Sequence, residues 1–313
     1  MKYEQFIKNG FIDFGEIIDK KKCKELYSIL EKSRDWGQNL FRQEEEVDKK
    51  LFPDKSPENP RGGTNPGKGK CNLSENLDLS FIEKNISFKK IIEDICGPNY
   101  EILLKKFVVA VPSDWIPEWL IKRMKKNYFD NLNPYIKEKY RDVTYFRGID
   151  YHMDIMDQVD SKPDIITIYI YINDVQENMS PLHVINKSHK FCNTIFPHSY
   201  ENDDNENKTI ILRDGDIKEK MSKEILIGNA GNVYLWSCLT FHRTIPFQSS
   251  DKPRISLRFT IKKNQNLKEN FIIDEFLTKN NLTNYRNVKN NTSIIHKDKK
   301  SKFTQNKNNN KFY

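Results

Sequence analysis

Helices first and then a run of β-strands closing into a β-sandwich or jelly-roll barrel is the α+β fold class this sequence predicts, and three observations carry it. Apolar residues fall at helical spacing in the first hundred positions; from about residue 164 the texture changes to short strand-like stretches; and no internal repeat divides the chain. With 313 residues, 37% of them apolar, the chain is long enough to bury one sizeable core. We expect a single domain over residues 1–265, followed by a basic, Lys/Asn-rich, largely disordered tail over residues 266–313.

Taken in order, "KNGFIDFGEIIDKKKCKELYSILEKSRDW" predicts a short strand and then a helix with Ile17, Ile18, Cys23, Leu26, Ile29 and Leu30 near helical spacing. Residues 52–72 hold four prolines and four glycines and predict a loop that borders a site. "LSFIEKNISFKKIIEDICGPNY" predicts helices stopped at Gly97-Pro98. "EILLKKFVVAVP" predicts the first core strand, and residues 113–147 a helical insertion carrying Trp115, Trp119, Tyr128, Tyr145 and Arg147, placed to act as a lid. The strands then follow as "DIITIYIYINDV", "SPLHVIN", "KTIILRD", "NVYLWSCLTFH" and "RISLRFTIK". Inside the tail, "NFIIDEFLTKNNL" predicts a short amphipathic helix.

The net charge of +8 is confined to the end of the chain. Residues 261–313 hold 12 Lys/Arg against 4 Asp/Glu, which leaves residues 1–260 balanced. A neutral globular part argues against specific nucleic-acid binding, and the tail reads most simply as solubilising. No stretch approaches the ~18 apolar residues of a membrane span and the start has no apolar leader, so the expectation is a cytoplasmic chain without membrane contact. Five scattered cysteines without C-x-x-C spacing support neither a disulfide framework nor a zinc knuckle.

Chemistry concentrates in "GIDYHMDIMD". His152 and Asp154 are two positions apart, and on an extended segment they share a face and can bind one ion. H-x-D arises often by chance. A two-histidine, one-carboxylate triad needs a third ligand, for which His242, at the end of the apolar stretch "NVYLWSCLTFH", is the best placed. Twelve residues on, Arg254 and Ser256 share a face of the next strand, and a guanidinium with a hydroxyl is a receptor for a carboxylate.

With these residues in place, the chain resembles the phytanoyl-CoA dioxygenase-like branch of the iron(II)/2-oxoglutarate oxygenases from about residue 5 to residue 260. "YHMD" is similar to that family's ligand motif, "INDVQENMSPLHVINKSHK" to its central turn, and "GNAGNVYLWSCLTFHRTIPFQSSDKPRIS" to its closing segment. The resemblance implies a double-stranded β-helix core, Fe(II) held by His152, Asp154 and His242, and 2-oxoglutarate held by Arg254 with Ser256. Tyr169 and Thr167, on the polar face of "DIITIYIYIND", would lie near the cosubstrate. The implied reaction uses O2 to oxidise, most simply to hydroxylate, a C–H bond of a small or medium-sized metabolite, releasing succinate and CO2.

The chain departs from the family pattern at Asn178-Met179-Ser180-Pro181-Leu182 and Asn186-Lys187-Ser188-His189, which alters turns rather than ligands. Arg258 shares the parity of Arg254, so position alone does not choose between them. His183 and His189 compete for the third ligand position, whereas His198 and His296 read as surface residues. Asp150 shares the parity of His152 and is a candidate to orient a ligand, and Arg147 is the candidate substrate anchor. Two other functions stay open: a non-catalytic binding module on the same barrel, and a zinc hydrolase using the same three ligands. The oligomeric state is not legible.

Overall fold

In an extended chain successive side chains point to opposite faces, so the alternation in residues 165–171 sorts them between two environments. In a computed structural model of the protein, strand β5 (Ile165–Tyr171) sends Ile166, Ile168 and Ile170 into one apolar cluster and Tyr169 and Tyr171 into another. The structure describes residues 3–49, 72–124, 129–157, 162–190, 199–203, 208–214, 217–247 and 250–283. The loop expected over residues 52–72 falls outside them except for Asn72, as do Tyr128, His198 and His296.

Among the described residues the other strands are β1 (Phe11–Glu16), β2 (Glu101–Ala110), β3 (Phe129–Asn131), β4 (Thr144–His152), β6 (Leu182–Ile185), β7 (Ser199–Asp203), β8 (Thr209–Asp214), β9 (Ile217–Leu226), β10 (Asn232–Ser237), β11 (His242–Thr244) and β12 (Arg254–Lys262). They join in the order β1-β10-β5-β12-β2-β4-β11-β6-β9-β8-β7, with β3 beside β4. A three-residue parallel pairing of β2 with β4 is the seam between two halves. After β2 the core strands alternate between the halves, β4 in one, β5 in the other, β6 and β9 back, then β10, β11 and β12 crossing each time. That connectivity is a double-stranded β-helix, the jelly-roll class expected. The halves are tied by Tyr171, whose hydroxyl donates to the Leu226 carbonyl (2.6 Å) and accepts from the Leu182 amide (3.2 Å).

The outer face of the β5 half is covered by helices whose ends follow local chemistry. Asp19 caps helix Lys20–Lys32 by accepting from the Lys22 amide, and Asn85 caps helix Ile86–Cys96 by accepting from the Phe88 amide. Gly97, at φ 81°, ends the second helix in a backbone region other residues avoid. Their buried stripes, Cys23, Leu26 and Leu30 on one and Phe88, Ile91, Ile92 and Ile95 on the other, pack with the isoleucines of β5 and with Phe259 of β12. The inner face of the sheets encloses Val108, Tyr169, Tyr171, Leu182, Val184, Leu226, Tyr234 and Trp236.

Several expectations are corrected. "NVYLWSCLTFH" is not one strand: β10 stops at Ser237, the Thr240 amide turns back to the Ser237 carbonyl (2.8 Å), and His242 opens β11 in the opposite half. Strand β12 pairs with β2 and β5 and lies across the barrel from His242. The insertion ends before Thr144, so Tyr145 and Arg147 belong to β4. Its tryptophans pack against the helical layer, Trp115 on Trp36 (6.0 Å between rings) and Trp119 on Tyr135 (6.2 Å). The folded body also runs past residue 265: helix Ile272–Lys279 buries Ile273, Phe276 and Leu277 and stacks Phe276 on Phe6 (4.7 Å). Among the described residues no helix is long and apolar enough to cross a membrane.

Candidate metal centre

Strand β4 delivers the first ligand through an irregular register. Its pairing with β11 runs His242 to His152 and Thr244 to Ile149, so β4 carries one extra residue over this stretch. Such a bulge re-aims the strand end, and it removes the simple parity that linked Asp150 to His152; the Asp150 side chain lies outside the described residues. A Cβ on Gly148 would stand 3.1 Å from the backbone of Thr244, Ile245 and Pro246, so glycine lets the chain leaving β11 pass close by.

His152 is the last residue of β4, Met153 turns into the helical core, and Asp154 begins a short 3-10 turn facing the barrel interior. The ligand atoms of His152, Asp154 and His242 lie within 4.8 Å of one another, and all three residues are buried. His152 Nε2 is 4.0 Å and His242 Nε2 3.5 Å from Asp154 Oδ1. His242 Nδ1 is 2.9 Å from the Thr240 carbonyl oxygen, which can only accept, so Nδ1 carries the proton and Nε2 presents its lone pair to the site. Two imidazole nitrogens and one carboxylate, buried and convergent, are a donor set that suits a divalent metal such as iron(II).

The two oxygens of Asp154 have different surroundings. Oδ2 accepts from the Thr167 hydroxyl (2.5 Å) and the Trp236 indole (3.0 Å). Oδ1, the atom facing both histidines, accepts from Arg258 Nη2 at 2.6 Å. Burial pushes the Asp154 carboxyl up, but Arg258, then His242 and His152, outweigh it and hold the group well below the usual carboxylate range.

Farther along β12, Arg254 is 1% exposed. Its Nη1 donates to the Tyr169 hydroxyl and to Ser256 Oγ, both at 3.1 Å, its guanidinium lies 5.7 Å from the Tyr169 ring centre, and its Nε is buried without a partner. Among the described residues this buried cation meets two neutral hydroxyls and an aromatic ring and no carboxylate, surroundings that favour an anionic partner. An aromatic line joins the two places, Tyr169 to Trp236 at 5.7 Å and Trp236 to His242 at 4.9 Å.

Of the residues singled out from sequence, His152, Asp154 and His242 come together, as do Arg254, Ser256 and Tyr169. Thr167, expected near the cosubstrate, donates its hydroxyl to Asp154 Oδ2. Arg147 is half-buried on β4 and is not a partner of Asp154. His183 faces outward between Leu182 and Val184, and His189 packs on Phe276 (4.9 Å), so neither joins the triad. Trp236, Thr240 and Arg258 are the site residues that sequence reasoning missed or set aside. The parity of Arg258 with Arg254 was the available signal; no local signal marks the other two.

No family model matches the chain, and no curated protein matches it. Among solved structures it is similar to the non-heme α-ketoglutarate-dependent epimerase SnoN from nogalamycin biosynthesis, at 12% identity and TM-score 0.47, over 84% of this chain and 82% of that one. It is similar to the non-heme monooxygenase ThoJ at 10% identity and TM-score 0.49, over 84% and 77%. A third is EvdO2 from Micromonospora carbonacea var. aurantiaca complexed with 2-oxoglutarate, at 13% identity and TM-score 0.44, over 84% and 90%. The chain's own fold and site define a double-stranded β-helix protein with a buried His-Asp-His constellation inside its barrel.

Proposed function

We propose that the protein is an iron(II)- and 2-oxoglutarate-dependent oxygenase of the phytanoyl-CoA dioxygenase-like kind, hydroxylating a C–H bond of a small or medium-sized metabolite and releasing succinate and CO2. One observation carries this reading: a single barrel interior brings together three residues that could hold a cation, His152, Asp154 and His242, and a buried cation, Arg254, whose hydrogen bonds among the described residues go to the Tyr169 and Ser256 hydroxyls. A ligand that is anionic at one end and chelates a metal at the other answers both demands, and 2-oxoglutarate is such a ligand. A zinc hydrolase would use the three ligands and leave Arg254 without a purpose.

In this reading His152, Asp154 and His242 hold the metal, and Arg254, Tyr169 and Ser256 orient the distal carboxylate. Thr167 and Trp236 fix the plane of Asp154 by saturating Oδ2. The apolar inner wall, including Val108, Leu182, Val184 and Leu226, excludes water around the bound pair. Iron(II), once bound with 2-oxoglutarate and O2, supplies the oxidising power that side chains lack.

The test is oxygen-dependent conversion of 2-oxoglutarate to succinate by iron-loaded protein, with Arg254→Ala alongside. Succinate release that needs iron and O2 and fades in the variant supports the proposal. Metal-loaded protein that binds 2-oxoglutarate without turnover, across a panel of metabolites, points to a binding module instead.

A further inference from the structure

Arg258 is not needed to complete the donor set, yet it makes the shortest contact to the atom that would bind the metal. Because Thr167 and Trp236 occupy Oδ2, a cation held by the two histidines must use Oδ1, which accepts from Arg258 at 2.6 Å. The only carboxylate of the constellation is therefore shared between a guanidinium and a metal. Arg254, buried and four residues away from Arg258, lies on the same face of β12 and carries a second positive charge. A divalent ion entering alone meets like charge at short range, whereas an ion entering with an anion does not.

We propose that Arg258 is a positioning residue that couples metal to anion, weakening binding of the bare metal and strengthening joint binding of the metal with a dicarboxylate. In the metal-free protein the same guanidinium compensates the buried Asp154 charge, which keeps the carboxylate aimed at both histidines. Binding linkage then requires reciprocity: whatever factor 2-oxoglutarate adds to metal affinity, the metal adds to 2-oxoglutarate affinity. The dicarboxylate half of the inference rests on the proposed function; the bare-metal half rests on Asp154 and Arg258 alone.

The experiment measures cobalt(II) binding to full-length protein by visible absorbance, without oxygen, with and without saturating 2-oxoglutarate, for wild type and Arg258→Gln. In wild type, 2-oxoglutarate tightens cobalt binding by about tenfold or more, within the usual range of coupling between sites. In Arg258→Gln, bare cobalt binds about tenfold tighter, as loss of a unit charge near the ion predicts, and the tightening by 2-oxoglutarate shrinks towards none. Unchanged or weaker bare-cobalt binding in Arg258→Gln overturns the inference, because a merely structural arginine gives that result. Arg258→Lys keeps the charge and is the arm that decides if Arg258→Gln does not fold: it retains the coupling within about threefold, and its loss there also overturns the inference. Wild type that binds cobalt but not 2-oxoglutarate sinks the proposed function, while the bare-cobalt comparison still judges Arg258.

Discussion

Asp154 and Arg254 are both buried charges inside one barrel, and the protein treats them in opposite ways. Asp154 is ringed by Arg258, Thr167, Trp236 and two histidines, so its charge is compensated and both oxygens are occupied. Arg254, four residues before Arg258 on β12, meets a tyrosine and a serine hydroxyl and, among the described residues, no carboxylate. An uncompensated buried charge destabilises a fold, whereas a paired and hydrogen-bonded one need not. The difference is that, among the described residues, one buried charge has a counter-charge supplied by the protein and the other has only neutral partners.

The largest effect should come from breaking the compensated side. His242→Ala or Asp154→Ala removes one of three ligands, and metal affinity measured by equilibrium titration should fall by more than about a hundredfold, beyond what an outer partner contributes. Breaking the uncompensated side should separate stability from binding. Arg254→Met deletes a buried cation without an anion, so the ligand-free protein should melt at the same or a higher temperature, while 2-oxoglutarate affinity of the metal-loaded protein falls about a hundredfold. A clear loss of melting temperature in Arg254→Met would mean that Arg254 has the same structural role as Arg258.

A control for both regions lies on the outer face of β6. Burial, then Arg243 and Lys223, pushes the His183 imidazole down to about 3, and burial pushes His189 down to about 4. Both rings are neutral in the folded protein across a range where an unfolded histidine, near 6.5, takes a proton. The unfolded state then binds more protons, so stability is full above about pH 6.5 and declines towards pH 4, by up to ~1.4 kcal/mol per pH unit for each group. His183→Gln should flatten that slope in pH-dependent denaturant unfolding and leave the metal isotherm unchanged. The smallest effects belong to the groups on Oδ2: Trp236→Phe or Thr167→Val should each cost about 1 kcal/mol of stability and up to about tenfold in metal affinity.

Much of this comparison was legible in the chain itself, because its signals are local. The alternation of Thr167, Tyr169 and Tyr171 with isoleucines marked an inner and an outer face, and His152-x-Asp154 needed only neighbouring positions to suggest a pair. What failed depended on contacts across the barrel. His242 was placed at the end of a strand because "NVYLWSCLTFH" is apolar throughout, and only the turn at Ser237 shows the chain changing halves. Arg254 and Arg258 have equal parity, so their division of labour is decided by Asp154 reaching over from β4. Strand β9 was missed because "IKEKMSKEIL" buries Met221 and Lys223 amid charged neighbours, which masks the period-two signal.

The most direct test of the central claim, that one interior takes a cation at Asp154 and an anion at Arg254, is an anaerobic absorbance titration of metal-free protein with iron(II) and then 2-oxoglutarate. The account predicts a visible charge-transfer band that forms only with both, vanishes in His242→Ala and weakens in Arg254→Ala. Wild-type protein that stays folded, binds iron and shows no band at saturating 2-oxoglutarate would contradict it.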